Sequence, residues 1–275
     1  MREPSFSFVG DLGVWEFAGT GPTAILAHAT GFHARCWDRI VARLPHHWRV
    51  IAVDLRGHGR SHRAVKRPTR WKQFGEDLAA VAEALNLSNA IGVGHSMGGH
   101  STVHAAALRP KTYSSLLLLD PVILPPPYYG TTLMTDHYAR RRRNQWTSGE
   151  EMFERYRGRP PFDTWDRDTL HDYCRHALNG KVLACDPDFE ASIYEACSDA
   201  ESNLHPELNQ IKSPVHLIRS KFDIADGEFD MNWSPCDPAL AQRLPNGCDQ
   251  KVDCGHFIPM EAPDLVASIL KSYEA

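Results

Sequence analysis

Ala90-Ile91-Gly92-Val93-Gly94-His95-Ser96-Met97-Gly98-Gly99 is the stretch whose reading decides the fold. Ala90 to Val93 reads as a short buried strand, and Ser101 to Leu108, stopped by Pro110, reads as a helix. Ser96 therefore stands on the turn between them. A strand that hands over so abruptly to a helix forces strained backbone angles on the corner residue, so its neighbours have to be small. Gly94 and Gly98 meet that need. The same turn aims the first amides of the helix, that of Met97 foremost, at the serine. Negative charge developing there would meet N–H donors and the positive end of the helix dipole. The pattern is the G-x-S-x-G of a nucleophile elbow. Taken alone it also fits a glycine-rich turn with an incidental serine, so the rest of the chain has to decide.

Upstream, Thr23 to Ala27 and Arg49 to Val53 are β-rich apolar runs with the amphipathic stretch Trp37 to Leu44 between them. Phe74, Leu78, Val81 and Leu85 recur at helical spacing before the strand that leads to Ser96. Downstream come Leu116 to Leu119, then Val215 to Ile218, then a closing helix over Ala262 to Tyr273. This alternation predicts an α/β fold with a mainly parallel, doubly wound sheet. The alternation stops between Asp120 and about Ile211, beginning at Pro125-Pro126-Pro127. The economical account is a core of residues 1–122 and 206–275 and an inserted helical cap over 123–205. An insertion there lies over the carboxyl ends of the strands, where open α/β sheets bind ligands, and so reads as a lid. It is rich in aromatics, among them Tyr128, Tyr129, Tyr138, Trp146, Phe153, Trp165 and Tyr173. Most of these are expected to form the insertion's own small core.

The chain has 275 residues, 42% of them hydrophobic, enough for one large α/β domain with an insertion or for two small domains. A formal net charge of −4 gives no reason to expect nucleic acid or an anionic membrane as partner. No apolar run reaches the length of a membrane span, and Met1-Arg2-Glu3-Pro4 lacks a secretory h-region. A cytoplasmic protein is the expectation. The cysteines, seven in number, are scattered without ligand spacing and read as free thiols.

A serine hydroxyl needs a positioned base, and the base needs a carboxylate. His256, in Asp253-Cys254-Gly255-His256-Phe257, follows the strand-like Gln250-Lys251-Val252 and precedes the last helix, which puts it on a loop at the sheet's carboxyl edge. Two aspartates follow strand-like runs: Asp223 after Pro214 to Ser220, and Asp120 directly after the leucine run. Asp223 is favoured, with Asp120 the alternative and Asp226 behind both. A second oxyanion donor is expected from His28-Ala29-Thr30-Gly31-Phe32-His33, with the amide of Phe32 preferred. His28 and His33 have no carboxylate or cysteine at ligand spacing, so no metal is expected, and a hydrogen-bonding role suits His28. His95, His28, Tyr129 and Trp146 are the candidates for contact with substrate. Arg140-Arg141-Arg142-Arg143 either guides an acidic substrate or is a solvated helix face paired with Glu150, Glu151 and Glu154.

On these residues the chain resembles the α/β-hydrolase superfamily over nearly its whole length. His28 to Phe32 is similar to that family's oxyanion loop, and Asp54-Leu55-Arg56-Gly57-His58-Gly59-Arg60-Ser61 to its D-x-R-G-x-G-x-S turn, which we read as structural. Gly94 to Gly99 matches the elbow, Ser220 to Asp223 the acid turn and Gly255-His256-Phe257 the histidine loop, in the family's order. The resemblance implies an eight-stranded sheet with a cap after strand 6, an acyl-enzyme intermediate and no cofactor. Two departures leave choices open. Ala29-Thr30 stands between histidine and glycine, so the donor is Phe32, Thr30 or Gly31, and Ser220 replaces a glycine, which keeps Asp120 as a possible acid.

Serine at the elbow excludes the epoxide hydrolases and haloalkane dehalogenases of this fold, which need a carboxylate there. Esters, lactones, thioesters, amides and diketone C–C bonds remain. Hydrolysis of a small or medium-sized ester with apolar parts is the expectation. The alternatives are a C–C bond hydrolase, whose elbow is also Ser-Met-Gly-Gly, and a hydrolase-fold ligand receptor. The sequence leaves monomer and homodimer equally open.

Overall fold

A computed structural model describes residues 2–62, 70–222 and 232–274. The leucine run shows how its sheet is buried. Leu116 and Leu118 join an apolar cluster on one face, and Leu117 and Leu119 join another on the opposite face. Side chains alternate across a strand, so a continuous apolar run fits only a strand covered on both sides. Eight strands make up this sheet, in the order β1 (Ser5–Val9), β2 (Leu12–Phe17), β4 (Arg49–Val53), β3 (Thr23–Ala27), β5 (Ala90–His95), β6 (Tyr113–Leu119), β9 (Val215–Ser220) and β10 (Gly247–Val252). The pairs from β4 onward are parallel. The pairs β1–β2 and β2–β4 are antiparallel.

That antiparallel edge is absent from the sequence reading, although Phe6 and Phe8 alternate with polar residues and Gly10 turns at φ +57° into β2. The β3, β4 and β5 starts coincide with the predicted runs. Helices α2 (Lys72–Ala84) and α3 (Met97–Leu108) cover one face, where Phe74, Leu78, Val81 and Val103 meet Leu116 and Leu118. On the other face α1 (Asp38–Val41) and α9 (Pro263–Lys271) bring Ile40, Val266 and Leu270 to Leu117 and Leu119. From β3 the chain moves to one neighbour, β4, and from β4 it crosses back to β5 on the other side. The loops after β3 and β5 therefore diverge, opening the crevice in which doubly wound sheets bind ligands.

The chain between β6 and β9 leaves the sheet. Its helices are α4 (Gly149–Tyr156), α5 (Arg167–His176) and α6 (Pro187–Glu195), with a two-stranded hairpin of β7 (Leu178–Asn179) and β8 (Val182–Leu183). Each helix starts on a side-chain cap: Ser148 accepts from the Glu151 amide, Asp166 from Thr169, and Asp186 from Asp188 and Phe189. Trp146, Phe153, Trp165, Leu170 and Tyr173 do form a core there, as expected, and it also takes in Phe32 and Phe257 from the sheet's carboxyl edge. The insertion is thus anchored on the two loops that flank the serine. Two short helices, α7 (Leu240–Arg243) and α8 (Ile258–Glu261), complete the fold around β10. Among the described residues no helix is long and apolar enough to cross a membrane.

Candidate active site

Ser96 has φ 56° and ψ −119°, the strained corner that the abrupt turn demands. A Cβ on Gly98 would stand 2.1 Å from the carbonyl oxygen of Ala27, and one on Gly94 would stand 2.3 Å from that of Gly98. Neither position accepts a side chain without moving backbone. Neighbouring strand ends hold the corner: the Ser96 amide donates to Leu119 O at 3.1 Å, and Ser96 O accepts from the amides of Gly99, His100 and Val122.

His256 reaches the serine from the loop after β10. Its Nε2 lies 3.0 Å from Ser96 Oγ and its Nδ1 lies 2.6 Å from Asp120 Oδ2. A carboxylate at Nδ1 requires the proton there and leaves Nε2 as the acceptor facing the serine hydroxyl. Asp120 is fully buried, at φ 45° just past β6, and its other oxygen accepts from Ser234 Oγ at 2.5 Å and from the Ser220 amide at 3.3 Å. Both carboxylate oxygens are therefore satisfied by protein partners. Asp223, the favoured acid in the sequence, and Asp226 lie outside the described residues; the carboxylate that touches His256 is Asp120. β6 and β10 flank β9, and from the end of β6 the Asp120 side chain reaches across to the loop that carries His256. Ser220 ties the same ends together, its hydroxyl donating to Cys254 O at 2.9 Å.

His95 lies behind this pair and does not line the cavity. Its Nε2 donates to His256 O at 2.9 Å, and burial, with the adjacent His256 adding to it, holds His95 well below the usual histidine range. The ring is neutral and serves the backbone of the histidine loop. His28 is also fully buried: Nε2 accepts from the Leu55 amide at 3.0 Å and Nδ1 donates to Ala29 O at 2.7 Å. It pins the loop after β3 and contacts no ligand space.

In the loop after β3 the amide preferred from the sequence, that of Phe32, is already engaged. Gly31, at φ +79°, turns the chain so that the Phe32 amide donates back to Ala29 O at 3.2 Å, while the Gly31 amide donates to His58 Nε2 at 3.0 Å. Of the three amides the sequence left open, only that of Thr30 has no acceptor among the described residues. Thr30 also touches the elbow, its hydroxyl donating to Met97 Sδ at 3.4 Å.

A cavity of about 450 Å³ opens over the serine. Thr30, Ser96, His256 and Phe257 line it from the core side, and Tyr128, Met134, His137, Tyr138 and Tyr194 from the insertion. Trp71, Leu133 and Trp233 complete an apolar wall that the sequence did not point to. Tyr129 and Trp146, proposed from the sequence, are elsewhere. Tyr129 Oη accepts from the Leu124 amide at 3.0 Å, and Trp146 is buried in the insertion's core with Nε1 donating to Arg143 O at 3.0 Å. The arginine run faces away as well. Arg140 meets Glu195 and Asp188, Arg141 meets Asp136, Arg142 meets the buried Glu190, and Arg143 meets Glu151. Of the expected partners only Glu151 is used. The run is consumed by ion pairs.

The α/β hydrolase family model matches residues 24–269 of this sequence. The chain belongs to the α/β hydrolase family. This chain is 38% identical to lipase LipV of Mycobacterium tuberculosis over 112 residues, 40% of this chain and 42% of that protein. The chain thus matches less than half the length of that relative. It is 24% identical to 3-oxoadipate enol-lactonase 1 of Acinetobacter baylyi over 263 residues, 92% of this chain and 88% of the relative. Among solved structures, that of E-2-(acetamidomethylene)succinate hydrolase superposes with a TM-score of 0.72 at 20% identity, covering 95% of this chain and 94% of the other. The chain therefore shares its fold with that hydrolase, and its sequence relatives carry different named activities.

Proposed function

We propose that this enzyme hydrolyses small or medium-sized carboxylic esters, or lactones, through an acyl-enzyme on Ser96. The observation that carries the reading is the unbroken run Ser96 Oγ, His256 Nε2, His256 Nδ1, Asp120 Oδ2, with links of 3.0 and 2.6 Å, at the floor of an apolar cavity. His256 takes the serine proton as Oγ attacks the ester carbonyl, and Asp120 stabilises the imidazolium that forms. The amides of Met97 and Thr30 receive the oxyanion. His256 then hands its proton to the leaving alkoxide. Water, deprotonated by the same histidine, releases the acid and restores Ser96. The insertion acts as the lid that shapes the acyl and alkoxy sites. The relatives named as a lipase and an enol-lactonase support ester or lactone chemistry over C–C cleavage.

The test is turnover of p-nitrophenyl butyrate by the wild type and by Ser96→Ala. A fall in kcat of at least about 10⁴-fold is expected. Equal rates would end the serine-hydrolase reading and favour a ligand-binding role.

A further inference from the structure

One residue of the cavity wall carries a buried side-chain nitrogen with no hydrogen-bond partner among the described residues. His137 lines the cavity over Ser96 yet is only 6% exposed, and its Nε2 is buried with no hydrogen-bond partner among the described residues. Its ring is held between tyrosines, stacked on Tyr194 at 4.1 Å and tilted against Tyr138 at 4.4 Å. The backbone N–H of Ala139 donates to Nδ1 at 3.3 Å, which makes Nδ1 the acceptor and leaves the proton on Nε2. A buried donor without an acceptor is costly unless something that binds there supplies one.

We propose that His137 Nε2–H is the specificity donor for an uncharged oxygen acceptor carried by the substrate away from its scissile bond, so that oxygenated esters are the preferred class. The inference rests on the ester-hydrolase reading of the same site. Burial outweighs the pull of Glu195 and pushes His137 down to about 4, so the ring is a neutral donor at neutral pH. A distal carboxylate is disfavoured: Asp136 shares the lining, and Arg140 and Arg141 are committed to acidic partners. A carbonyl or ether oxygen meets both conditions. A site that presents a buried donor discriminates strongly against the analogue that lacks the acceptor.

The experiment compares p-nitrophenyl 4-oxopentanoate and 5-oxohexanoate with their shape-matched partners, the 4-methylpentanoate and 5-methylhexanoate. Wild type is expected to favour at least one oxo ester by about tenfold in kcat/KM. His137→Phe, which keeps a stacking ring, is expected to remove that preference, costing the oxo esters about tenfold more in kcat/KM than the alkyl esters, with the urea midpoint as the check on folding. His137→Gln, which returns an N–H₂ donor at similar reach, is expected to restore part of it. A preference that survives in His137→Phe, or equal losses on oxo and alkyl esters, overturns the role of His137. Wild-type turnover of alkyl esters with no oxo preference also overturns it and leaves the ester-hydrolase reading standing. Turnover of neither ester above the Ser96→Ala background overturns both.

Discussion

The two walls of the cavity are held by different forces. On the core side Ser96, Asp120 and His256 follow strand ends, and main-chain hydrogen bonds pin each one: Ser96 N to Leu119 O, Asp120 N to Ile218 O and His256 N to Asn232 O. On the insertion side His137, Tyr138 and Tyr194 are placed by ring stacking, beside ion pairs such as Arg142 with Glu190. Backbone pinning, once the close-packed glycines are in place, depends little on the other side chains around it. Side-chain packing changes with each substitution. The contrast explains how one set of reacting groups serves many substrates in this fold.

Removing a core carboxylate is the most severe way to break this contrast. Asp120→Asn keeps the volume and leaves His256 without its anion, and kcat is expected to fall by about 10³- to 10⁴-fold in p-nitrophenyl butyrate assays. Asp223→Asn is expected to change it by about twofold or less. The opposite ranking would move the acid to the segment after Phe222.

A milder intervention tests the packing on the insertion side. Glu190 is 4% exposed and lies against Gly31, so Arg142→Met strands a buried carboxylate beside the oxyanion loop. Urea unfolding is expected to register a loss of about 3 kcal/mol. Adding Glu190→Leu should recover most of it, since a matched apolar pair removes the stranded charge. An unchanged midpoint for the single variant would show that the pair does not hold the two regions together.

The smallest effect is expected at the joint between the regions. Glu207, on the return from the insertion, contacts His104 of α3 at 2.6 Å and Lys72 of α2 at 2.5 Å. Burial works to raise its carboxyl, but the hydrogen bonds from His104 and Lys72 outweigh it and hold Glu207 at about 2. A depressed carboxyl stabilises the fold above its ordinary value near 4 and loses that contribution as pH falls from about 4 towards about 2. Thermal midpoints at pH 5 and pH 2.5 should therefore drop further for wild type than for Glu207→Gln. Equal drops would remove Glu207 from the joint.

Legibility follows the same division. The runs Thr23 to Ala27 and Arg49 to Val53 are strands at those residues, and Ser96 and His256 were readable from turns and flanking patterns. The loop amide left without an acceptor among the described residues was legible only as one of three, because Gly31's left-handed turn, which spends the Phe32 amide on Ala29, left no mark in the sequence. His137 carried no signal either. It lies in irregular chain just before a short 3₁₀ turn, where no periodicity tells an inward side chain from an outward one.

By itself the sequence determined the layered α/β order, the strained serine corner and the histidine loop. Those depend on local requirements: continuous apolar runs that need cover on both faces, and glycines where backbone passes within 2.3 Å of an added Cβ. Only the tertiary structure decided that Asp120 is the carboxylate at His256 and that His137 rather than Trp146 faces the cavity. Both outcomes turn on which strand ends and insertion segments converge at the carboxyl edge of the sheet. That convergence is a long-range property, because Ser96 and His256, which meet there, are separated by 160 positions in the chain.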